Sequence, residues 1–155
     1  MSEARRAGER RLAAEPPADA TLAFIGRIRT PFSPGDCPRN PAEARARGGA
    51  VLEIDAPYRA GLDGIAAGDA LMVLYWMDGA DRGLIRLHPP HRDTAVGVFA
   101  LRAPARPNPI ALSAARCTGI DAVAGRVAVT ALDCHDGTPL LDIKPHRPRV
   151  DAPPS

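Results

Sequence analysis

The sequence predicts an all-β fold, a small antiparallel β-barrel with long loops and few short helices, and three observations carry the prediction. Short apolar runs alternate with period two. The chain is punctuated by 17 Pro and 14 Gly in 155 residues, too many for long helices. It also lacks the strand–helix–strand alternation and the G-x-G-x-x-G loop of a doubly wound nucleotide-binding fold. A chain of this length supports one core, and several short antiparallel strands protect their edges best by closing on themselves.

The elements follow in order. Residues 1–20 are charged and alanine-rich and then broken by Pro16-Pro17, so they read as a tail or a short surface helix. From Thr21, the residues Leu22, Phe24, Gly26 and Ile28 alternate with Ala23, Ile25, Arg27 and Arg29, a strand that stops at Thr30-Pro31. Four prolines in residues 31–50 predict a long loop whose one helical stretch is Ala42 to Arg47; a loop of that length is functional or disordered. Val51 to Ile54 is a short strand, Tyr58 to Ile65 a turn or brief helix, and Ala70 to Trp76 a buried strand. Asp78 to Asp81 and Pro89-Pro90 frame another loop, and Ala95 to Leu101 reads as a strand. Ile110 to Ile120 and Gly125 to Leu132 pair through a hairpin turn over residues 119–125, and Leu140 to Ile143 is the last strand. The expected organisation is a flexible segment 1–20, a barrel domain 21–146 and a tail 147–155.

Composition excludes some function classes. No run approaches the roughly 20 apolar residues of a membrane span, and Met1 to Arg11 is charged rather than signal-like, so a cytoplasmic protein with no membrane partner is expected. Three widely spaced cysteines, Cys37, Cys117 and Cys134, give neither a disulfide framework nor a Cys-x-x-Cys knuckle. Net charge is only +2, yet the arginines cluster at Arg5, Arg6, Arg10 and Arg11, at Arg45 and Arg47, and at Arg102, Arg106, Arg147 and Arg149. Such clusters suit local phosphate binding or are simply solvated. With 4% aromatic residues, a stacking surface for several RNA bases is disfavoured.

Three segments are denser in special residues than a plain barrel requires. In Arg102 to Ile110 three prolines stiffen a backbone that projects Arg102, Arg106 and Asn108, which suits either a rigid binding loop or a stiff connection. Asp133 to Pro139 contains the Asp136-Gly137 turn pair and is crowded with Asp, His and Lys, beyond what a hairpin needs. The 31–50 loop places Cys37-Pro38-Arg39-Asn40-Pro41 at its centre, as a lid or as a disordered excursion. A metal hydrolase built on His88-Pro-Pro-His91 with Cys134 and His135 is a further reading, but Pro89-Pro90 forbids a helix and no carboxylate pattern completes it, so no metal is expected.

Taken in order, Ile25-Gly26-Arg27-Ile28-Arg29-Thr30-Pro31-Phe32, the Pro38-Arg39 loop, Arg106-Pro107-Asn108-Pro109-Ile110, Asp136-Gly137-Thr138-Pro139 and Asp142-Ile143-Lys144-Pro145 resemble the TsaA-like (TrmO) family of RNA methyltransferases. The resemblance covers residues 22–146. It implies a single-domain barrel that forms a homodimer, binds S-adenosylmethionine and methylates N6 of threonylcarbamoyladenosine in tRNA or a related RNA or small-molecule acceptor. The cofactor contacts it implies are Pro38, Arg39, Asn40, Met77, Asp78, Arg102, Leu112, Asp136, Gly137, Thr138 and Pro139. The chain departs from the family pattern at Met77-Asp78, Ala105, Ala111 and His146, where polar residues, Phe, Gly and Tyr are usual. Arg106 and Arg147 are the expected RNA contacts. A carboxylate near the sulfonium, Asp78 or Asp136, would complement its charge, and a base would remove the acceptor proton. His146, Asp142 and His135 are the candidates in that order. The competing reading is a barrel that binds S-adenosylmethionine or a nucleotide as a sensor or RNA-binding module without catalysis.

Overall fold

The computed structural model describes residues 6–155; the first five residues of the expected tail, Arg5 among them, lie outside the described residues. The described chain contains the strands β1 (Arg10–Arg11), β2 (Gly26–Arg29), β3 (Ala50–Ile54), β4 (Ala70–Trp76), β5 (Leu84–Leu87), β6 (Val96–Gly97), β7 (Ile110–Asp121), β8 (Arg126–Val129) and β9 (Thr138–Pro145). Short α-helices α1 (Pro41–Arg47) and α2 (Pro148–Asp151) and two 3₁₀ turns, Ala56–Leu62 and Val98–Ala100, complete it. No described helix is long and apolar enough to cross a membrane. The chain divides into two compact units: Leu22–Trp76 with Leu112–Ser155, and the N-terminal segment to Thr21 with Met77–Ala111.

The larger unit is the expected barrel, closed in the order β2-β3-β8-β7-β4-β9, with β9 returning to β2. Its β2–β3, β3–β8, β7–β8 and β4–β9 ladders are antiparallel. Alternation decides what faces inward. β3 buries Ala50, Leu52 and Ile54, β4 buries Leu71, Val73 and Tyr75, and β8 buries Val127 and Val129, with Ile28, Cys117 and Leu140 completing the interior. The hairpin predicted over residues 119–125 is present as the β7–β8 turn, in which Gly125 takes φ +72°. Gly26 lies where β2 crosses closest to β3: a Cβ there would stand 1.9 Å from the Glu53 carbonyl oxygen.

The first strand is shorter than its alternation suggested. Leu22 and Phe24 are exposed, and regular pairing begins at Gly26, although Ile25 still donates to Leu140 and accepts from Asp55. The last strand is longer, because β9 spans two neighbours and pairs with β2 through Thr138–Leu140 and with β4 through Leu140–Pro145. One extra β9 residue is accommodated between the Leu74–Asp142 and Tyr75–Leu140 pairs. The 31–50 loop is ordered: Phe32, Ala44 and Ala131 form a small cluster with Cys37 against it. Arg47 stacks over the Phe32 ring at 4.9 Å and holds the Asp36 carboxylate at 2.9 Å.

The smaller unit was not foreseen. Here β5 pairs with both β1 and β6, and Leu12 N–H donates to Gly83 at 2.8 Å. Arg11 grips both oxygens of Asp81. Arg10–Arg11 is therefore a strand and not part of a tail. The run Ala95 to Leu101 contributes only two strand residues before turning into a 3₁₀ segment that buries Val98 and leaves Phe99 81% exposed. At the other terminus, α2 falls inside the expected C-terminal tail, with the Asp151 carboxylate accepting from Arg147 N–H at 2.7 Å.

Candidate functional site

In the barrel unit, two of the motif-bearing segments are tied together. The chain runs from β2 into Thr30, whose hydroxyl donates to Cys134 O at 2.8 Å and whose N–H donates to the Asp136 carboxylate at 3.2 Å. Asp136 N–H in turn reaches Phe32 O at 2.7 Å, and Gly137 N–H reaches Ile28 O at 2.8 Å. The Asp136–Pro139 turn and the start of the 31–50 loop thus form one framework. Within it Gly137 takes φ +80°, Thr138 is buried with its hydroxyl on His135 O at 2.7 Å, and Arg27 donates to Gly137 O at 2.9 Å. Asp136 is also 3.7 Å from the Arg29 guanidinium, so its charge is already answered.

The Pro38-Arg39-Asn40 segment leads into α1 through a capping arrangement. The Asn40 side chain accepts from Glu43 N–H at 2.9 Å, and Glu43 reaches back to Arg39 N–H at 3.1 Å. Pro38 is buried and the Arg39 side chain is exposed. Of the three residues expected on the cofactor, Asn40 has its side-chain oxygen engaged by the helix, while Arg39 has its backbone fixed and its guanidinium directed outward. Leu112 lies on the outward face of β7, where it alternates with the more buried Ala111, Ser113, Ala115 and Cys117.

The three expected bases occupy different settings. Asp142 is paired with Lys144 at 2.8 Å and accepts from Ile143 N–H. His146 Nε2 is 3.8 Å from the Asp151 carboxylate, and the His146 backbone N–H donates to Ala70 O at 2.9 Å. His135 is exposed, with its carbonyl used by Thr138. Arg147 is exposed at the start of α2.

In the smaller unit, Met77 N–H donates to Pro109 O at 2.8 Å; Asp78 and Arg102 are exposed. Arg106 donates through Nη2 to the carbonyls of Val98 and Leu101, and its buried Nε has no partner among the described residues. This guanidinium braces its own loop. The two ring nitrogens of His88 lie within hydrogen-bond distance of carbonyl oxygens, those of Ala7 at 3.0 Å and Arg92 at 2.9 Å. No group of three potential metal ligands occurs among the described residues.

Sequence reasoning missed a polar trio in the barrel. Tyr75, buried on β4, has its hydroxyl 3.0 Å from Ser113 Oγ and 3.5 Å from Asp133 Oδ1. Burial pushes this phenol well above its ordinary value. It also pushes the Cys134 thiol up to about 12, and it raises Cys37, with the nearby Asp133 carboxylate as the second cause. A signal was present: a tyrosine in a fully buried strand needs a partner for its hydroxyl, and Ala70 to Trp76 offers none.

The family model for the tRNA-methyltransferase O N-terminal domain matches residues 27–152, which span the barrel strands from β2 to β9 and the whole of the smaller unit's second segment. The chain belongs to that family. Among relatives of the tRNA-methyltransferase O domain, it is 44% identical over 131 residues to the probable S-adenosyl-L-methionine-binding protein VirR of Rhizobium radiobacter, covering 83% of this chain and 72% of VirR. It is 37% identical over 131 residues to an S-adenosyl-L-methionine-binding protein of Archaeoglobus fulgidus, covering 84% and 91%. The crystal structure of TrmO from Pseudomonas aeruginosa is similar with a TM-score of 0.66 and 34% identity over 86% of this chain. The chain spans 58% of the length of that crystallised TrmO.

Proposed function

We propose that the chain binds S-adenosylmethionine and transfers its methyl group to N6 of threonylcarbamoyladenosine in tRNA, as a cytoplasmic homodimer. The observation that carries the reading is the family match over residues 27–152, joined to a barrel in which the start of the 31–50 loop and the Asp136–Pro139 turn are built into one framework. Relatives named for binding S-adenosylmethionine support the cofactor, and a relative named as a putative S-adenosylmethionine-dependent methyltransferase, RcsF of Pseudomonas aeruginosa, supports the reaction class.

The residues present fit such a ligand. It carries a carboxylate, a cationic sulfur and a nucleoside. The barrel unit supplies the outward guanidinium of Arg39, the half-buried carboxylate of Asp133, which has no cationic partner among the described residues, and the turn backbone around Gly137. When bound, the donor supplies a methyl group that is already activated for transfer. The protein's task is to hold donor carbon and acceptor nitrogen in line and dry, and to receive the acceptor's proton. Rigid segments reduce the ordering cost: α1 is capped, the Asp136 turn is fixed by four hydrogen bonds, and three prolines stiffen the Arg102–Pro109 segment. Among the candidate bases, His146 lies with Nε2 3.8 Å from the Asp151 carboxylate, beyond hydrogen-bond distance.

The decisive experiment incubates labelled S-adenosylmethionine and the protein with total RNA from cells lacking it, followed by nucleoside mass spectrometry. Methylated threonylcarbamoyladenosine is the expected product. Relatives named only as binding proteins favour one second reading, a non-catalytic S-adenosylmethionine-responsive module. Binding without label in any nucleoside, and tRNA retention on filters that depends on the cofactor, would establish that reading instead.

A further inference from the structure

We propose that Asp133 is the counter-charge by which the barrel distinguishes the cationic methyl donor from the demethylated product, which is neutral at sulfur, with Tyr75 and Ser113 orienting the carboxylate. The inference rests on the reading that the barrel binds S-adenosylmethionine and is independent of the acceptor.

Several carboxylates of this unit have cationic partners. Asp36 pairs with Arg47, Glu53 with Arg29 and Arg126, Asp136 with Arg29, Asp142 with Lys144, and Asp151 lies beside His146. Asp133 is half-buried, and no Lys, Arg or His among the described residues lies within ion-pair distance of it. Its one side-chain hydrogen bond is the 3.5 Å contact from Tyr75. A carboxylate drawn partly out of water with a single neutral donor is poorly compensated, and a cation beside it would be strongly favoured.

The hydrogen-bond order fixes its orientation. A phenol has one proton; given to Asp133, it leaves the Tyr75 oxygen to accept from the Ser113 hydroxyl at 3.0 Å. The high affinity of the buried phenol for its proton keeps Tyr75 able to donate across the physiological range, and of its two neighbours the carboxylate can only accept.

The location fits as well. Ser113 follows Leu112 on β7, Asp133 lies three residues before Asp136, and its charge is felt by Cys37, the residue before Pro38. Asp133 is thus adjacent in sequence to the Asp136 turn, linked through the Tyr75 hydroxyl to the strand that carries Leu112, and close enough to Cys37 to act on its thiol. Asp136, a sequence candidate for the same role, is bound to Thr30 N–H and Arg29. After transfer the charge on sulfur is gone, so a site that favours the cation also releases the product.

The test is calorimetric and needs no acceptor. S-adenosylmethionine, its amine analogue sinefungin and S-adenosylhomocysteine are titrated into the wild-type protein, Asp133→Asn, Asp133→Glu and Tyr75→Phe. Wild type is expected to bind the two cationic ligands at least about tenfold more tightly than the thioether. In Asp133→Asn the ratio falls to within about twofold because only the cationic ligands weaken, and Asp133→Glu restores most of it. Should Asp133→Asn fail to fold, Tyr75→Phe decides, with the ratio expected to fall at least about threefold. Equal weakening of all three ligands in Asp133→Asn, or an undiminished ratio in it or in Tyr75→Phe, overturns the inference. Equal binding of all three by wild type overturns it while leaving cofactor binding intact, and binding of none removes both.

Discussion

Replacing Gly26 with alanine tests the join between β2 and β3 on which the Asp136 turn depends. The new methyl carbon would begin 1.9 Å from the Glu53 carbonyl oxygen and 2.9 Å from its carbon. Both are backbone atoms, so no side chain swings away, and β2 must retreat by about 1 Å to reach contact distance. The Asp55 N–H to Ile25 O bond, 2.9 Å in the structure, then exceeds hydrogen-bond reach, and the Gly26–Ile54 end of the ladder loosens with it. One or two lost bonds at about 1 kcal/mol each, with overpacking strain of about 1–3 kcal/mol, give a loss near 3 kcal/mol. Gly61→Ala is the control: nothing lies within 4 Å of its added carbon and its φ is not positive, so it should be neutral or stabilising by up to about 1 kcal/mol. Urea denaturation followed by circular dichroism measures both. Because Ile28 O and Arg27 hold Gly137, Gly26→Ala should also weaken S-adenosylmethionine binding in calorimetry. Identical denaturation midpoints for the two alanine variants would refute the close-approach argument.

Asn40→Ala removes the cap of α1 and should cost about 1 kcal/mol, read as a lower denaturation midpoint together with faster proteolysis within residues 36–48. Arg102→Ala should weaken S-adenosylmethionine binding about tenfold, and unchanged affinity in calorimetry would remove Arg102 from the site. The Cys134 thiol, held near 12 when folded against an ordinary 9.0, makes stability fall with alkali. The unfolded chain releases that proton above about pH 9 while the folded chain keeps it, so nothing is lost below pH 9 and about 3 kcal/mol is lost by pH 11. Tyr75 adds to the loss in the same direction above pH 10. A denaturation midpoint that stays flat from pH 8 to 11 would contradict this. At pH 8, half-buried Cys37 should react with a thiol reagent well before Cys117 and Cys134, which are buried; mass spectrometry of the labelled peptides reads the order.

The parts of the fold legible in the sequence are those whose signal is local. Ala70 to Trp76 is a strand with the boundaries its apolar run predicted, since a strand buried on its inner face and half-buried on its outer one needs apolar residues throughout. The β7–β8 hairpin was legible because glycines bracket it. Arg10–Arg11 was illegible for the opposite reason: two charged residues carry no periodicity, and what makes them a strand is β5, more than 70 residues away, with the Arg11–Asp81 ion pair. Leu22 and Phe24 show the converse failure, alternation that continues past the last residue with a partner strand on both sides. Asn40 was read as a ligand contact, yet Asn-Pro-Ala-Glu is also a helix-start pattern, and the structure uses it as one.

The sequence signals that the Tyr75 hydroxyl needs a partner, but which residues supply it is decided by closure of the barrel. β8, β7 and β4 are consecutive around the barrel although β4 precedes β7 by more than 30 residues. Closure sets Tyr75 of β4 beside Ser113 of β7, and the chain leaving β8 delivers Asp133 to the same hydroxyl. None of the three is unusual in its own segment; together they place one charge at the margin of an interior otherwise lined by Ile28, Leu52, Val73, Val127 and Leu140. In such surroundings a charge acts over a few ångströms with little screening, so a single carboxylate discriminates more sharply there than the same group would on the arginine-rich surface. That difference in setting, rather than the number of acidic residues near the motifs, is why Asp133 and not the better-paired Asp136 is the group whose removal should erase the preference for a cationic ligand.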